Sequence, residues 1–187
     1  EKTYFVDNHE YTSLNNTYIL LSSDPGDNAS GVKDIVCKVD DLDEETYIAP
    51  IQLNDGGIHK IRYCAVDEAG NKEDWKEYIV TIDDSPPLIN IEISDPKIEE
   101  GMISVKSDNT ITVTTSDTVT GIMKTEYKID EDEWRAYINP FNISDSGIHK
   151  LIVRSKDYVG NTNTRVLDIN VDMTAPSTGL ILGAPKY

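Results

Sequence analysis

The chain has 187 residues, of which 34 are acidic and 17 are lysine or arginine, so its formal net charge is −17 at pH 7. Nucleic acids and anionic membranes attract basic surfaces, and this balance argues against both as partners. No apolar run approaches the roughly 18 residues of a membrane span, which argues against membrane insertion. The chain begins at Glu1 without a signal-peptide pattern, and we interpret it as a segment of a longer protein.

One stretch of the sequence occurs twice: residues 57–71 return without a gap as residues 147–161, a period of 90 residues. A period of this size corresponds to one small domain. We therefore expect two domains, residues 1–85 and 86–175, followed at 176–187 by a linker and the first strand of a truncated third repeat. An alternative is that this last strand adds to a neighbouring molecule.

The first repeat begins where its own first strand would already have ended. That strand should be missing, or be improvised from Tyr4 to Val6. Residues 1–16 are polar and indicate one or two ragged strands. Residues 17–24 then match residues 110–117, where apolar residues alternate with threonines as in a half-buried strand.

Residues 31–40 and 121–130 predict the next strand of each repeat. Side chains alternate between the two faces of a strand. This alternation points Tyr127 inward, and by alignment it points Cys37 inward as well.

The repeated stretch itself is predicted to be the core strand of each domain. Leu151, Val153 and Ser155 share one face and should be buried. On the same parity Cys64 looks outward.

Residues 67–71 and 157–161 have the pattern Asp-x-x-Gly-Asn. Glycine takes a positive φ readily, and Asp and Asn bond the local backbone, so both segments predict hairpin turns. The returning strands, residues 77–83 and 165–172, end in proline junctions. About seven short strands per repeat without helical periodicity predict an all-β fold: two tandem immunoglobulin-like antiparallel β-sandwich domains with no helix longer than a turn.

A set of short motifs together resembles the Ig-like repeats of bacterial and archaeal surface and secreted proteins, of the type named after a leptospiral outer-membrane adhesin. The motifs are Ser30-Gly31-Val32, Tyr47-x-x-Pro50, Gly57-x-His59 and Asp67-x-x-Gly70-Asn71. The resemblance covers nearly the whole chain, twice. The aromatic that follows the first strand of that repeat is matched by Tyr4 and Tyr187, whereas Cys37, Cys64 and Arg154 depart from the pattern.

The resemblance implies an extracellular stalk or adhesive module, and it transfers no catalytic residues. His59 and His149 recur at equivalent positions, and a catalytic group has no reason to appear twice at a fixed period. His9 has no nucleophile signature near it. We therefore expect no enzymatic activity.

The aspartates and asparagines of the turns leave two alternatives open. They either cap the turns, in which case no cofactor is bound, or they converge at the sandwich ends as hard oxygen ligands of calcium. No EF-hand or other dense ligand loop is present. The candidate ligands are Asp24, Asp67, Asn71, Asp117, Asp157 and Asn161, with the junction residues Asp83, Asp84 and Asp172.

Cys37 and Cys64 also leave two alternatives. A secreted context favours a disulfide bond, but their opposite parities oppose one, because a cross-strand bridge needs both Cβ atoms on one face.

Three acceptor sequences for N-glycosylation, at Asn15, Asn28 and Asn142, fit a secreted protein. Trp75 and Trp134 lie in turns, where an indole either folds over the sandwich edge or stacks on sugars.

The sequence favours non-catalytic extracellular modules that act as a spacer on a cell surface. Their partners would be the neighbouring Ig-like repeats of the same chain. The alternatives are an adhesin segment that binds a surface protein or a glycan, and an accessory module of a secreted hydrolase.

Overall fold

A computed structural model describes residues 3–7, 9–99 and 102–180. The regular structure of these residues is entirely β, which confirms the predicted fold class. The first repeat contains β1 (Thr3–Val6), β2 (His9–Thr12), β3 (Thr17–Tyr18), β4 (Val32–Val39), β5 (Glu45–Thr46), β6 (Ile51–Gln52), β7 (Gly57–Asp67) and β8 (Lys76–Ile82). The second contains β9 (Leu88–Ile93), β10 (Lys97–Glu99), β11 (Met102–Val105), β12 (Ile111–Ser116), β13 (Ile122–Ile129), β14 (Arg135–Ala136), β15 (Gly147–Asp157) and β16 (Thr162–Val171).

Over the described ranges we find no helix that is both long and apolar enough to cross a membrane.

Each repeat combines a six-stranded sheet with a two-stranded sheet. The large sheets have the orders β1-β2-β8-β7-β4-β5 and β10-β11-β16-β15-β13-β14, and the small sheets pair β3 with β6 and β9 with β12. The prediction of antiparallel pairing needs one addition, because β2 pairs with β8, and β11 with β16, in parallel. The architecture is a β-sandwich.

The chain separates into two compact units. Unit 1 comprises Glu1–Ile89, Thr115–Thr125 and Arg154–Asn163, and unit 2 comprises Asn90–Thr114, Glu126–Val153 and Thr164–Tyr187. Two segments of the second sequence repeat thus belong to unit 1. The domain boundaries predicted from the repeats stay a prediction, and the proposed third-repeat strand falls largely on residues 181–187, outside the described residues.

The core of unit 1 lies under β7 and β8. Ile61, Val80 and Ile82 are almost fully buried together with Leu53. Ile61 alternates with Lys60 and Arg62 on β7, whose side chains point to the other face of the strand, as the period of two requires.

The core strand of the second repeat is β15, and the predicted inward residues Leu151, Val153 and Ser155 are each 0% exposed. The turn that follows it is also confirmed. The Asp157 amide donates to the carbonyl of Asn161 at 3.1 Å, and Gly160 takes a φ of +109°.

The strand predicted at residues 17–24 is much shorter than expected, since only Thr17 and Tyr18 are in β3. Its counterpart β12 is a full strand because β9 pairs with it. No such partner strand is found for residues 19–24 in the described part of the first repeat, and Leu21 is 90% exposed. A strand without a neighbour has no ladder of backbone hydrogen bonds to hold it.

Both cysteines are free and buried. Cys37 pairs in register with Tyr63 and Val36 with Cys64, which places the two thiols on opposite faces of the sheet. The expected outward direction of Cys64 is therefore right, but the implied exposure is wrong, because Cys64 is 0% exposed. The connection after β7 returns to this strand, where Lys72 bridges to Val66 and the Glu73 amide donates to the carbonyl of Ala65 at 3.0 Å.

Candidate metal centre

Asp83 is the first residue after β8, and its backbone extends the parallel pairing of that strand with β2. Its amide donates to the carbonyl of Thr12 at 2.8 Å. Its Oδ1 accepts from the amide of Ser85 at 3.1 Å, and its Oδ2 accepts from the Thr120 hydroxyl at 2.5 Å. Asp83 is 1% exposed, so its carboxylate is held in one orientation.

Asp117 follows β12 and organises the loop behind it. Its Oδ1 accepts backbone amide protons from Val119, Thr120 and Gly121, at 3.1, 2.9 and 2.9 Å. An aspartate that bonds the amides of the next residues forms the kind of local turn that Asp and Asn favour. The loop therefore presents this carboxylate from a fixed backbone.

Asp157 ends β15 and is 0% exposed. Its Oδ1 accepts from the amides of Gly160 and Asn161 at 2.5 and 2.8 Å. Its Oδ2 is buried without a hydrogen-bond partner in the part of the chain that the structure describes. Burial is the main cause that raises the pKa of this carboxyl, the charge of Asp83 also raises it, and the hydrogen bonds from Gly160 and Asn161 lower it without cancelling the rise. Leaving such an acceptor unsatisfied costs about 1–3 kcal/mol.

The three carboxyl groups converge within unit 1. One oxygen from each of Asp83, Asp117 and Asp157 lies within 4.8 Å of the others. Two unit charges at that separation repel by about 3 kcal/mol at an effective dielectric constant of about 20. The protein therefore holds three acidic groups where their charges oppose one another.

A divalent cation fits this arrangement. Calcium binds oxygen ligands at about 2.4 Å, so two oxygens on one ion are at most about 4.8 Å apart. All three donors are carboxylates, which suit Ca²⁺ and Mg²⁺ better than the softer transition metals. A cation at the centre would neutralise the repulsion and satisfy Oδ2 of Asp157.

Asn161 ties the centre to the proline junction. Its Nδ2 donates to the carbonyl of Asp83 at 2.9 Å and to that of Ser85 at 3.3 Å. Asn163 likewise donates to the carbonyl of Pro87 at 2.8 Å. The turn after β15 thus fixes the junction backbone as well as supplying a carboxylate.

The equivalent residues of the first repeat are arranged differently. Asp67 accepts at Oδ1 from the amide of Asn71 and at Oδ2 from its Nδ2, both at 2.7 Å. These bonds, the one from the Asn71 side chain above all, lower the pKa of Asp67. Asp24 accepts from the amide of Gly31 at 2.9 Å. Asp24 and Asp67 line one depression, but no cluster of three carboxylates forms there among the described residues.

The remaining junction candidates are not among the three clustered carboxylates. Asp84 is exposed. Asp172 repeats the local geometry of Asp83, because its amide donates to Val105 and its Oδ1 accepts from Thr174 at 2.8 Å, yet it too is exposed.

Sequence reasoning missed Thr120, whose hydroxyl orients Asp83. A signal for it existed: Ser30, a second hydroxyl residue, stands 90 positions earlier, and a glycine follows each of them. The hydroxyl type is kept across the two copies even though the loops before it differ in length.

The other candidate sites are placed as follows. A lysine ammonium lies over each indole, 4.6 Å from the Trp75 ring and 6.0 Å from the Trp134 ring, where a sugar would otherwise stack. Asn15 and Asn28 are exposed. Asn142 is exposed too, but its Nδ2, the atom a glycan would modify, donates to the carbonyl of Ser107.

The comparisons with known proteins find similarity among solved structures. No protein-family model matches the sequence, and no curated protein matches it. Among solved structures, the chain is similar to the fibronectin(III)-like modules of CbhA from Clostridium thermocellum, with 15% sequence identity, 91% of this chain and 94% of that chain covered, and a TM-score of 0.39. At this distance the similarity carries no inference about ligand or partner.

Proposed function

We propose that the chain is a pair of non-catalytic extracellular modules that act as a spacer, and that a calcium ion at Asp83, Asp117 and Asp157 braces the junction between the sequence repeats. Its partners in this role are the neighbouring Ig-like repeats of the same chain. The observation that carries the proposal is the buried, unpartnered Oδ2 of Asp157 inside a cluster of three carboxyl groups.

The positions of the three aspartates in the two sequence repeats support a bracing role. Asp83 follows the last strand of the first repeat, whereas Asp117 and Asp157 belong to loops of the second repeat. An ion shared by these side chains would add bonds between segments that are far apart in sequence. Extracellular modules bind calcium at about 10⁻⁴–10⁻³ M, so a modest affinity suffices for such a site.

The test is a thermal unfolding measurement in chelator and in about 10 mM CaCl₂, which is about 100 times a Kd of about 10⁻⁴ M. A ligand at about 100 times its Kd stabilises by about 2.7 kcal/mol, which corresponds to a rise in Tm of about 5–10 °C for a protein of this size. Asp157→Asn should abolish the rise, and MgCl₂ should produce a smaller one.

The chain supplies matched controls in the other repeat. Asp24→Asn and Asp67→Asn remove the same charge at the equivalent positions, and the rise in Tm caused by calcium should persist in both. No rise in the unchanged protein, or an equal loss of the rise in Asp67→Asn and Asp157→Asn, would overturn the site. Limited proteolysis of the junction tests the bracing itself, because calcium should slow cleavage at residues 84–88.

A further inference from the structure

His59 and His149 each have a hydrogen-bond acceptor at both ring nitrogens. Nδ1 of His59 is 2.8 Å from Oδ2 of Asp40, and its Nε2 is 2.9 Å from the carbonyl oxygen of Asp55. A neutral imidazole carries a single N–H, whereas the imidazolium carries two. Only the protonated ring can satisfy both contacts.

The second repeat reproduces this arrangement. Nδ1 of His149 is 2.8 Å from Oδ2 of Asp130, and its Nε2 is 3.0 Å from the carbonyl oxygen of Asp145. The two rings are 14% exposed or less at the side chain, so water replaces these partners only poorly.

Asp40 and Asp130, whose carboxylates contact the two rings, each hold an acidic turn against the core strand. Asp40 has a φ of +52°, and its Oδ1 accepts from the amide of Lys60 at 2.8 Å while its own amide donates to the carbonyl of Lys60. Asp130 makes the same two bonds with Lys150 at the same φ. A positive φ is uncommon in a non-glycine residue, so these contacts offset a conformational cost.

The charges around each ring favour its protonated form. Burial lowers the pKa of His59, but the bonds to Asp40 and Asp55 outweigh it and the pKa is raised. The nearby Lys60 is paired with Glu77 at 3.2 Å.

In the second repeat the bond to Asp130 is the main cause that raises the pKa of His149, against burial and with help from Asp145. The ion pair of Asp132 with Arg135, 3.0 Å long, lines the same depression as His149, and its charges offset each other.

We propose that His59 and His149 are a duplicated proton-operated clamp: each imidazolium fastens an acidic turn and a loop carbonyl to the core strand, and loss of its proton releases one of the two. The clamp responds to binding of a proton by the imidazole. Its residues are separate from the carboxylate cluster of Asp83, Asp117 and Asp157. Each unit contains one clamp, so the units respond to pH separately.

Long-range ¹H–¹⁵N spectra of the unchanged protein test the protonation directly. At pH 6.5 both rings should be mostly protonated at both nitrogens, with midpoints above 6.5, the ordinary pKa of a histidine side chain. Midpoints at or below 6.5 for both rings would overturn the proposal.

Charge-removing variants separate the clamp from the general field of an acidic chain. Asp40→Asn should lower the midpoint of His59 and leave that of His149 unchanged, and Asp130→Asn should do the reverse. Asp41→Asn removes the same charge one residue along the turn and should shift His59 much less. Equal shifts in Asp40→Asn and Asp41→Asn would show that the field alone acts, which contradicts the clamp.

Stability gives a second measurement. In metal-free protein the unfolding midpoint should fall between pH 5.5 and 8.5, and it should fall less in the double variant His59→Gln, His149→Gln. An unchanged fall in the double variant would count against the proposal, and the spectra decide the matter if that variant does not fold.

Discussion

Asn161 and Asn71 occupy equivalent positions in the turns of the two repeats, yet their side-chain amides donate to different partners. Asn71 bonds its own aspartate, Asp67. Asn161 instead bonds the carbonyls of Asp83 and Ser85, and Oδ2 of Asp157 has no partner among the described residues. The turn of the first repeat thus satisfies both oxygens of its own aspartate, whereas the turn of the second repeat leaves one aspartate oxygen without a partner among the described residues.

This difference predicts opposite effects of one substitution in the two copies. Without metal, Asp157→Asn replaces a buried, repelled carboxylate by an amide that can donate to Asp83, and it should stabilise by about 1 kcal/mol or more at neutral pH. Asp67→Asn removes a carboxylate whose charged form is favoured by hydrogen bonds, and it should destabilise. Denaturant unfolding in chelator measures both, and effects of equal sign would contradict the assignment.

At the level of elements, β7 directs Ile61 into the core of unit 1 and Ile58 away from it. Ile61 is 1% exposed in the core of unit 1, whereas Ile58, three residues earlier on the same strand, is 72% exposed. Ile61→Ala should cost about 2–5 kcal/mol because it leaves a cavity. Ile58→Ala should stay within about 0.5 kcal/mol. Urea denaturation of the two variants tests the register of this strand, and similar losses would show that the register is wrong.

The elements also show how far the sequence leads. The alternation in the core strand placed Leu151 and Val153 correctly, because side-chain period is a local property. The same alternation gave the direction of Cys64 but not its burial, because the alternation within a strand does not show where the following connection returns to that strand. The short length of β3 was missed for a similar reason. The residues of a strand do not show whether another strand lies beside them, and no partner strand is found for residues 19–24 in the described part of the first repeat.

The candidate site was predictable in its parts and not in its assembly. Asp117 and Asp157 are visible as turn residues, and Asp83 as a junction residue. The sequence could not tell that the second set gathers three carboxylates and the first does not, because Asp24, Asp67 and Asn71 are the same residue types in the same order. That distinction depends on which distant segment arrives beside each turn.

At the scale of the whole molecule, the groups with shifted pKa values set the pH range in which the folded protein is most stable. The pKa values of Asp40 and Asp130 are lowered, so their contribution to stability is lost as pH falls below 3.8. The pKa values of His59 and His149 are raised. The contribution of these histidines to stability is therefore complete below pH 6.5 and is lost as pH rises through their folded-state pKa values. The raised pKa of Asp157 acts in the same direction, because its ionisation in the folded protein becomes unfavourable above 3.8.

We therefore expect metal-free protein to be most stable between about pH 4 and 6.5, and calcium to add most stability above that window. Unfolding midpoints from pH 3 to 9, with and without calcium, check this. The series should be repeated in high salt, which screens the repulsion of a chain with a net charge of −17. A metal-free maximum above pH 7 would contradict the prediction.

The contact between the Asn161 amide and the proline junction bears on how many metal sites a repeated sequence motif predicts. A motif search would find the Asp-x-x-Gly-Asn turn twice in this chain and assign two ions to it. The structure gathers a full set of carboxylates around one of these turns, within the described residues. Duplicating a module copies its turn residues but not the distant segment that meets them, so if calcium binds as proposed, the number of ions would follow the number of junctions between repeats and not the number of motifs.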